Sequence, residues 1–352
     1  MNLLCLCSRV MNRRDNRKEK CCYYLLKATY ELHMIEISII IPCYNCADWI
    51  DRCIYALERQ TYKKFEVICI DDCSNDNTFE KLNEIRKHIS FELRVLQNNE
   101  NCGPAKSRNY GISLAKGRYL AFCDSDDWYE DNYVEEMHRA LLRDGADLVM
   151  CEYRKVYESS NRVDDMHYLK NFSGSRDDLI AYSKAAMWLI MYKRELTLDL
   201  EVPDLRNGED IAYVPCIESR AQKITVVKKI LYNYLMRKGS TSKTPSVSVY
   251  KSLLTAYEFI KNNYINDDLS VKEYLGIKTV MYGAVLNACK AGEKGKEIRV
   301  IVDEFEKDYP NWVNNKYMYL FNKKKQLFLS FVKHRRISLC KAYSTLHQLV
   351  SV

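Results

Sequence analysis

The sequence predicts an α/β fold in which a mostly parallel sheet is flanked by helices on both faces and followed by a helical C-terminal part. Short apolar, β-branched runs alternate with segments of helical periodicity between about residues 36 and 151. This alternation is typical of a largely parallel sheet covered by helices. Residues 155–243 are less regular, and from about residue 246 the pattern is mostly helical.

Five segments are predicted to be buried strands because they are short, apolar and rich in β-branched residues. Pro42 ends the first of them. In chain order the strands cover residues 37–41, 65–70, 93–96, 119–123 and 146–151.

The intervening segments are predicted to be helices because their apolar residues recur at three- and four-residue spacing. Pro104 opens the third helix, as proline does at a first helical position, and Gly117 stops it. In chain order the helices cover residues 49–57, 79–89, 104–115 and 131–142.

Charge is distributed unevenly along the 352 residues, whose formal net charge is +7. Residues 1–33 hold seven Lys/Arg and three acidic residues, and the chain from Lys323 onward holds seven Lys/Arg and no acidic residue. A nucleic-acid-binding protein would carry this charge on its folded core, so we expect no nucleic-acid partner. The pattern predicts an unpatterned basic extension at 1–33, expected to be a dispensable leader, a domain at 34–243 and a helical region at 244–352.

The cysteines and the hydropathy favour a reducing cytoplasm. Many of the fifteen cysteines lie inside apolar runs, among them Cys69 and Cys123, where a free thiol behaves as a small hydrophobe. We expect neither a secretory signal nor a transmembrane span. Residues 323–336 mix basic clusters with apolar residues, so this segment either lies on an anionic membrane face or docks on the protein.

Acidic residues lie at or near element ends: Asp71-Asp72 after the second strand, Asp124-Ser125-Asp126-Asp127 after the fourth, and Glu209-Asp210 later. Ligands of open α/β sheets bind beyond the carboxyl ends of the strands. A calcium-binding EF-hand starting at Asp124 is excluded because Tyr129 stands where that loop requires glycine. Carboxylates without a full protein cage suit Mg²⁺ or Mn²⁺, with phosphate oxygens as the remaining ligands.

Each feature also has a simpler interpretation. Asp76 or Ser74 could cap the helix near Thr78, and the turn at 207–210 could be a helix cap. Cys43 and Cys46 have the spacing of a redox pair, but the acidic motifs downstream have no role in disulfide exchange.

Taken together, the ordered motifs resemble the family 2 glycosyltransferases, which have the GT-A fold, a Rossmann-like sheet. The motifs are "SIIIPCYN" at 38–45, "RQTY" at 59–62, "DDCSNDNT" at 71–78, "NCGPAKSRNYGISLAKGRYLAFCDSDDW" at 101–128, "GED" at 208–210 and "YNYLMRKGSTS" at 232–242. The resemblance covers about residues 36–243. It implies transfer of a sugar from a nucleotide diphosphate, often UDP, to an acceptor hydroxyl with inversion of the anomeric carbon.

The resemblance also implies roles for individual residues. Pro42 and Tyr44 would lie against base and ribose, and Asp72 would pair with the uracil N–H. Asp124 and Asp126 form the DXD motif. Asp126 would be the more direct ligand of Mn²⁺ or Mg²⁺, and Asp124 would face ribose or metal-bound water. Asp127 would belong to the donor sugar or to the metal, Asp210 would be the general base, and Arg108, Arg237 and Lys238 would contact the diphosphate.

Two other functions remain as alternatives, a non-catalytic sugar-nucleotide-binding protein and a nucleotidyltransferase. The second would require a glycine-rich, basic loop after the first strand, and "PCYNCADW" has neither glycine nor a basic residue. The expected partners are a nucleotide-sugar donor and a glycan or lipid-linked glycan acceptor, with peripheral contact at the cytoplasmic membrane face if the segment 323–336 binds there.

Overall fold

The computed structural model describes residues 35–160, 162–170, 172–205, 207–237, 247–265 and 268–350, and of residues 349 and 350 it describes the backbone alone. The expected N-terminal extension at 1–33 and Lys238 lie outside these ranges.

Nine strands of the described residues form one sheet in the order β3-β2-β1-β4-β8-β6-β9-β5, with β7 paired to β6. The pairings make β1, β2, β3, β4, β6 and β9 run one way and β5, β7 and β8 the other. The strands are β1 Ile37–Cys43, β2 Phe65–Asp71, β3 Glu92–Gln97, β4 Tyr119–Phe122, β5 Trp128–Tyr129, β6 Leu148–Tyr157, β7 Val163–Met166, β8 Ile190–Lys193 and β9 Ile224–Met236. The predicted α/β class and mostly parallel sheet are confirmed.

Helices flank this sheet and build the C-terminal part. The first six are α1 Ile50–Glu58, α2 Thr78–Ile85, α3 Pro104–Leu114, α4 Tyr133–Asp144, α5 Arg176–Tyr182 and α6 Glu209–Arg220. The C-terminal helices are α7 Val247–Asn263, α8 Leu269–Gly276, α9 Val285–Lys290, α10 Gly295–Asp308, α11 Lys323–Lys333 and α12 Ile337–Val350. A π-helical segment, Ile277–Ala284, joins α8 to α9.

The two faces of the sheet bury separate apolar cores, because successive side chains of a strand point to opposite faces. Ile39 and Ile41 of β1 pack in one core, and Ile40 packs in the other. The core that contains Ile40 continues into the C-terminal helices, where it includes Phe305 and Trp312. The helical part therefore shares a core with one face of the sheet.

The described helices and strands differ from the predicted ones in ways that tertiary contacts explain. Pro42 lies inside β1, whereas the sequence predicted that it would end the strand. Pairing with β4 stops at Ile40, so the missing N–H of Pro42 interrupts no ladder on that side. Gly117 lies where an added Cβ would come within 2.6 Å of the Ile37 backbone, so this close approach requires glycine. The second helix ends at Ile85, before the predicted residue 89.

The irregular stretch after residue 155 contains β7, β8, β9, α5 and α6, none of which the periodicity predicted. Strand β9 is 13 residues long, and Lys228 and Lys229 interrupt its run of apolar residues. It pairs with β6 along its whole length, and its second half also pairs with β5 and contacts the Asp124–Asp127 turn, so its burial alternates only in part.

Helix α11 covers most of the basic segment that the sequence left open between membrane and protein. Its side chains Phe328, Leu329 and Val332 are buried in the core. Arg335, two residues after the end of this helix, forms ion pairs with Asp303 and Glu306. These contacts support docking on the protein. Within the described ranges, every helix is too short or too polar to cross a bilayer.

Candidate active site

The turn after β2 holds Asp72 in a closed set of hydrogen bonds. One carboxylate oxygen accepts from Asn98 Nδ2 at 2.7 Å and from the Cys102 backbone N–H at 3.0 Å, and the other accepts from the Gly103 N–H at 2.7 Å. Burial opposes ionisation, but the hydrogen bonds from Cys102, Asn98 and Gly103 lower the pKa of Asp72. Asp72 therefore fixes the start of α3 as a buried, ionised carboxylate.

The loops after β1 and β2 are joined to each other at the same edge of the sheet. The Asn45 N–H donates to Ser74 Oγ at 2.9 Å, and the Asn75 N–H donates to Asn45 Oδ1 at 2.8 Å. Between them Tyr44 is 46% exposed, next to the half-buried Pro42. These two residues present an open aromatic and apolar surface beside the buried Asp72.

The Asp124–Asp127 turn follows β4 and takes two arginines from distant parts of the chain. Arg108 of α3 donates from Nη2 to Asp124 Oδ1 at 2.9 Å. Arg237, just after β9, donates from Nε to Asp126 Oδ2 at 2.7 Å. Burial and the nearby Asp124 raise the pKa of Asp126, and Arg237 opposes that shift. Two guanidinium groups thus offset the mutual repulsion of these carboxylates.

Asp127 does not face the same side as its neighbours. Its side chain is 1% exposed, and it accepts from the Tyr232 hydroxyl and from the Leu235 N–H, both at 2.7 Å. Burial raises the pKa of Asp127 well above its ordinary value, and Asp124 and Asp126 add to the shift. Both oxygens accept a hydrogen bond from β9, and the expected contact of Asp127 with the donor sugar or the metal stays a prediction. Asp127 therefore links β9 to the turn through these two hydrogen bonds.

Arg108 connects the turn to the first turn of α6. Besides Asp124, it donates from Nη1 to Glu209 Oε1 at 3.4 Å. Burial opposes its charge, yet the carboxylates of Asp124, Asp210 and Glu209 raise the pKa of Arg108. Two motifs that lie 16 and 101 residues away from Arg108 along the chain therefore meet at this one cation.

Asp210 has a polar atom that the protein leaves without a partner. Its Oδ1 is buried and accepts no hydrogen bond within the described residues. Burial raises the pKa of Asp210 to about 7, with Arg108 opposing the shift and Glu209 and Asp124 adding to it. A carboxylate with such a pKa is suited to act as a general base near neutral pH.

Gly208 shapes the backbone that presents Asp210. It has φ of 105°, a left-handed conformation that glycine adopts without a Cβ clash, and α6 begins at the next residue. The helix dipole stabilises the negative charge of a carboxylate in the first helical turn and so lowers its pKa. The raised pKa of Asp210 means that burial outweighs this helix effect.

Two further residues of the site, Arg52 and Trp49, were not predicted from the sequence to belong to it. Arg52 lies 3.8 Å from the centroid of the Trp128 ring and donates to the Asp126 carbonyl at 2.9 Å. The Arg237 guanidinium lies 4.4 Å from the centroid of the Trp49 ring. Each arginine thus contacts a tryptophan ring and also donates a hydrogen bond to Asp126 of the turn. Local periodicity carries no signal for such contacts, which depend on how α1 meets the turn.

The donor chemistry of the turn fits a small divalent cation. Asp124 and Asp126 are side chains of 30% and 21% exposure, and each uses one oxygen for its arginine. The described residues contain no group of three or more His, Cys, Asp or Glu arranged around one metal position. Two carboxylates suit Mg²⁺ or Mn²⁺ when phosphate oxygens and water complete the coordination.

Comparison with known families matches residues 38–198 to the glycosyl transferase family 2 model. The glycosyltransferase GlyG of Streptococcus pneumoniae is 28% identical over 223 residues, which is 59% of this chain and 73% of GlyG. The putative glycosyltransferase EpsH of Bacillus subtilis is 28% identical over 251 residues, 68% of this chain and 71% of EpsH. The chain spans only 32% of the length of another relative, GlyA of Streptococcus pneumoniae.

Solved structures share the fold at low sequence identity. Staphylococcus aureus TarS 1–349 in complex with UDP-GlcNAc aligns with a TM-score of 0.68 and 20% identity, covering 89% of this chain and 92% of that one. The mannosyltransferase PcManGT of Pyrobaculum calidifontis, in complex with GDP-Man and Mn²⁺, aligns with a TM-score of 0.55 and 14% identity, covering 90% and 87%. These likenesses support the fold.

Proposed function

We propose that this chain, which matches the glycosyl transferase family 2 model over residues 38–198 and shares the fold of TarS, transfers a sugar from a UDP-sugar to a hydroxyl of a growing glycan with inversion of the anomeric carbon. The observation that carries the proposal is the convergence on Arg108 of the DXD carboxylate Asp124 with Glu209, next to Asp210. The name of one 25% identical relative, the poly(ribitol-phosphate) beta-glucosyltransferase of Bacillus spizizenii, supports a role in cell-surface polymers.

Asp210 is proposed as the general base. Its Oδ1 has no protein partner, so it can accept the proton of an acceptor hydroxyl as that oxygen attacks the anomeric carbon. The new bond joins the acceptor oxygen to the anomeric carbon, and the bond to the β-phosphate oxygen breaks. The electron pair leaves with UDP.

The leaving diphosphate gains negative charge as its bond breaks. Asp126, with Asp124, would hold Mn²⁺ or Mg²⁺, and such an ion supplies Lewis acidity toward the phosphate oxygens. The cations Arg108 and Arg237 lie on the same two carboxylates and are available to the diphosphate. Charge aimed at the developing anion stabilises the transition state more than the ground state.

Nucleotide recognition is proposed at the edge formed by the loops after β1 and β2. The exposed Tyr44 ring and Pro42 suit stacking against a base and its ribose. Asp72 already satisfies four donors, three of them nitrogens, so its proposed contact with the uracil N–H would be an additional hydrogen bond.

The proposal is tested by measuring UDP release from candidate UDP-sugars with and without Mn²⁺, together with donor-induced thermal shift. We expect turnover only with the metal and one or few donors. Asp126→Ala is expected to lose both turnover and the metal-dependent thermal shift. Full turnover in Asp126→Ala and in Asp210→Asn would contradict the proposal and favour a non-catalytic binding protein.

A further inference from the structure

A row of aromatic side chains leads away from the DXD turn. Tyr234 lies beside the turn, because the N–H of the next residue, Leu235, donates to Asp127 Oδ1 at 2.7 Å. The Tyr234 ring stacks on Trp188, with 5.4 Å between ring centroids, and Trp188 meets Tyr153 at 5.1 Å. We call Tyr234, Trp188, Tyr153 and Tyr168, which lies 6.3 Å beyond Tyr153, the aromatic row.

Two lysines stand beside this aromatic row. Lys155 of β6 lies opposite Tyr234 in the strand pairing and shares a face of β6 with Tyr153. The Lys184 ammonium lies 5.8 Å from the centroid of the Tyr168 ring. The positive charge therefore follows the row outward from the active site.

Two more lysines come from the C-terminal helices. Lys278 of the π-helical segment donates to the Ser183 carbonyl at 3.2 Å, which brings it next to Lys184. Lys325 of α11 lies 4.9 Å from the ring centroid of Tyr282, one turn along that segment from Lys278. We call Lys155, Lys184, Lys278 and Lys325 the lysine surface.

The lysine surface contains more positive charge than its neighbours neutralise. Burial and the ammonium groups of Lys155 and Lys325 lower the pKa of Lys184, so these groups repel one another. Within the described ranges, ion pairs with Asp or Glu involve other lysines, such as Lys261 with Asp308, and none of these four.

Two acidic groups lie near the lysine surface, and each also has another cationic partner. Asp164 lies opposite Lys155 in the β6–β7 pairing, but it binds Arg162 at 2.7 Å. Glu218 is fully buried and, of the four lysines, acts on Lys278, while it also interacts with Arg176. Placing four lysines together without ion-pair partners lowers the stability of the fold, and an anionic ligand would remove that cost.

We propose that the lysine surface and the aromatic row bind an acceptor glycan that carries phosphate or carboxylate groups and direct its end to Asp210. The inference rests on the proposed function, because it names the acceptor of that site. Lysine ammonium groups bind phosphates and carboxylates as point charges, and aromatic faces pack against the apolar faces of sugar or polyol units. A neutral glycan would leave the lysines unpaired. The aromatic row is half-buried or buried, so the flat surface of a bilayer would reach it less well than a single glycan chain.

The test compares two triple variants of the full chain that lose the same charge. Lys155→Gln/Lys184→Gln/Lys325→Gln removes most of the lysine surface and keeps the buried Lys278. The control, Lys63→Gln/Lys87→Gln/Lys296→Gln, removes three exposed lysines elsewhere. Binding is measured for fluorescent inorganic polyphosphate, polygalacturonate, neutral dextran and phosphatidylglycerol vesicles. UDP release to water and donor-induced thermal shift are measured in parallel.

We expect wild type to bind polyphosphate or polygalacturonate, and the surface variant to lose about tenfold or more in affinity. The control should stay within about twofold of wild type, and donor-induced thermal shift should be equal in all three proteins. The polymer that binds identifies phosphate or carboxylate as the recognised group.

Equal loss in both variants would overturn the proposal, since it would reflect net charge. So would equal binding of dextran, or binding of vesicles alone. If wild type binds polyanion through these lysines but releases no UDP from any donor, the surface stands and the proposed function fails. If UDP is released but no polyanion binds, the proposed function stands and the acceptor surface fails.

Discussion

Asp72 and Asp210 are both aspartates at the ends of elements on the same side of the sheet, yet their surroundings give them opposite properties. Asp72 receives hydrogen bonds on both oxygens, and its pKa is lowered. Asp210 keeps a buried oxygen without a partner, and burial raises its pKa to about 7. Burial alone therefore does not distinguish a structural carboxylate from a reactive one. The number of hydrogen-bond donors that reach each carboxylate contributes to the opposite shifts of the two pKa values.

The largest expected effect comes from removing the reactive member of this pair. Asp210→Asn should lower kcat for sugar transfer by about 10²–10⁴ while donor binding is kept, because the amide cannot take the proton. Stability should not fall, since the substitution removes a buried carboxylate whose raised pKa disfavours folding as the pH rises from about 4 through about 7. UDP release, donor-induced thermal shift and urea unfolding measure the three quantities.

Glu218 provides the matched control for Asp210→Asn. It lies on the same helix, burial raises its pKa to about 8, and its Oε1 also has no partner within the described residues. It binds Ser183 in the core, away from the DXD turn. Glu218→Gln should keep transfer near wild type. A loss as large as that of Asp210→Asn would mean that any buried carboxyl of α6 is needed for folding, and the base assignment would fail.

Removing the structural member should affect stability first. Asp72→Ala leaves the Cys102 and Gly103 N–H groups without their acceptor, which should lower the free energy of unfolding by roughly 2–4 kcal/mol. Urea unfolding at pH 7 measures this, with the exposed Asp48→Ala as the control. The contribution of Asp72 should vanish as pH falls through its lowered pKa, because the protonated carboxyl accepts these bonds poorly. An unchanged stability would mean that the hydrogen bonds to Asp72 do not hold α3.

The pH dependence of transfer separates the two carboxylates without a mutation. Asp210 must be ionised to accept a proton, so kcat/KM should fall about tenfold per pH unit below its pKa of about 7 and level off above it. Asp72 stays ionised throughout this range and contributes no limb near neutrality. A profile that is flat from pH 5 to pH 8 would contradict Asp210 as the titrating base.

The smallest effects concern the backbone next to each carboxylate. Gly208, two residues before Asp210, has φ of 105°, so Gly208→Ala should destabilise by about 1–2 kcal/mol and lower kcat as Asp210 shifts. Cys73, directly after Asp72, has φ of 57°, and Cys73→Gly should change stability by less than about 1 kcal/mol, with kcat unchanged. Calorimetry and UDP release measure both. Equal effects would indicate that neither backbone position is tied to catalysis.

Much of the N-terminal half of the fold follows from local pattern. The five predicted strands all occur, because a buried parallel strand needs only a short run of apolar, β-branched residues. The first four lie within two residues of their predicted bounds, and β6 runs six residues past its predicted end. Strands β8 and β9 were not predicted, since their mixed residues acquire order from pairing with β4, β6 and β5. Periodicity within one segment does not report on pairing partners that lie far along the chain.

The sequence by itself determined which residues stand at the strand ends, because the apolar runs that precede Asp71 and Asp124 are local features. Only the tertiary structure decided what each carboxylate does there. Asp127 follows Asp126 directly, yet the Tyr232 hydroxyl and the Leu235 N–H of β9 occupy it, while Arg108 and Arg237 reach its neighbours. A carboxylate's role depends on the donors that surround it, and those donors come from segments that only folding brings together.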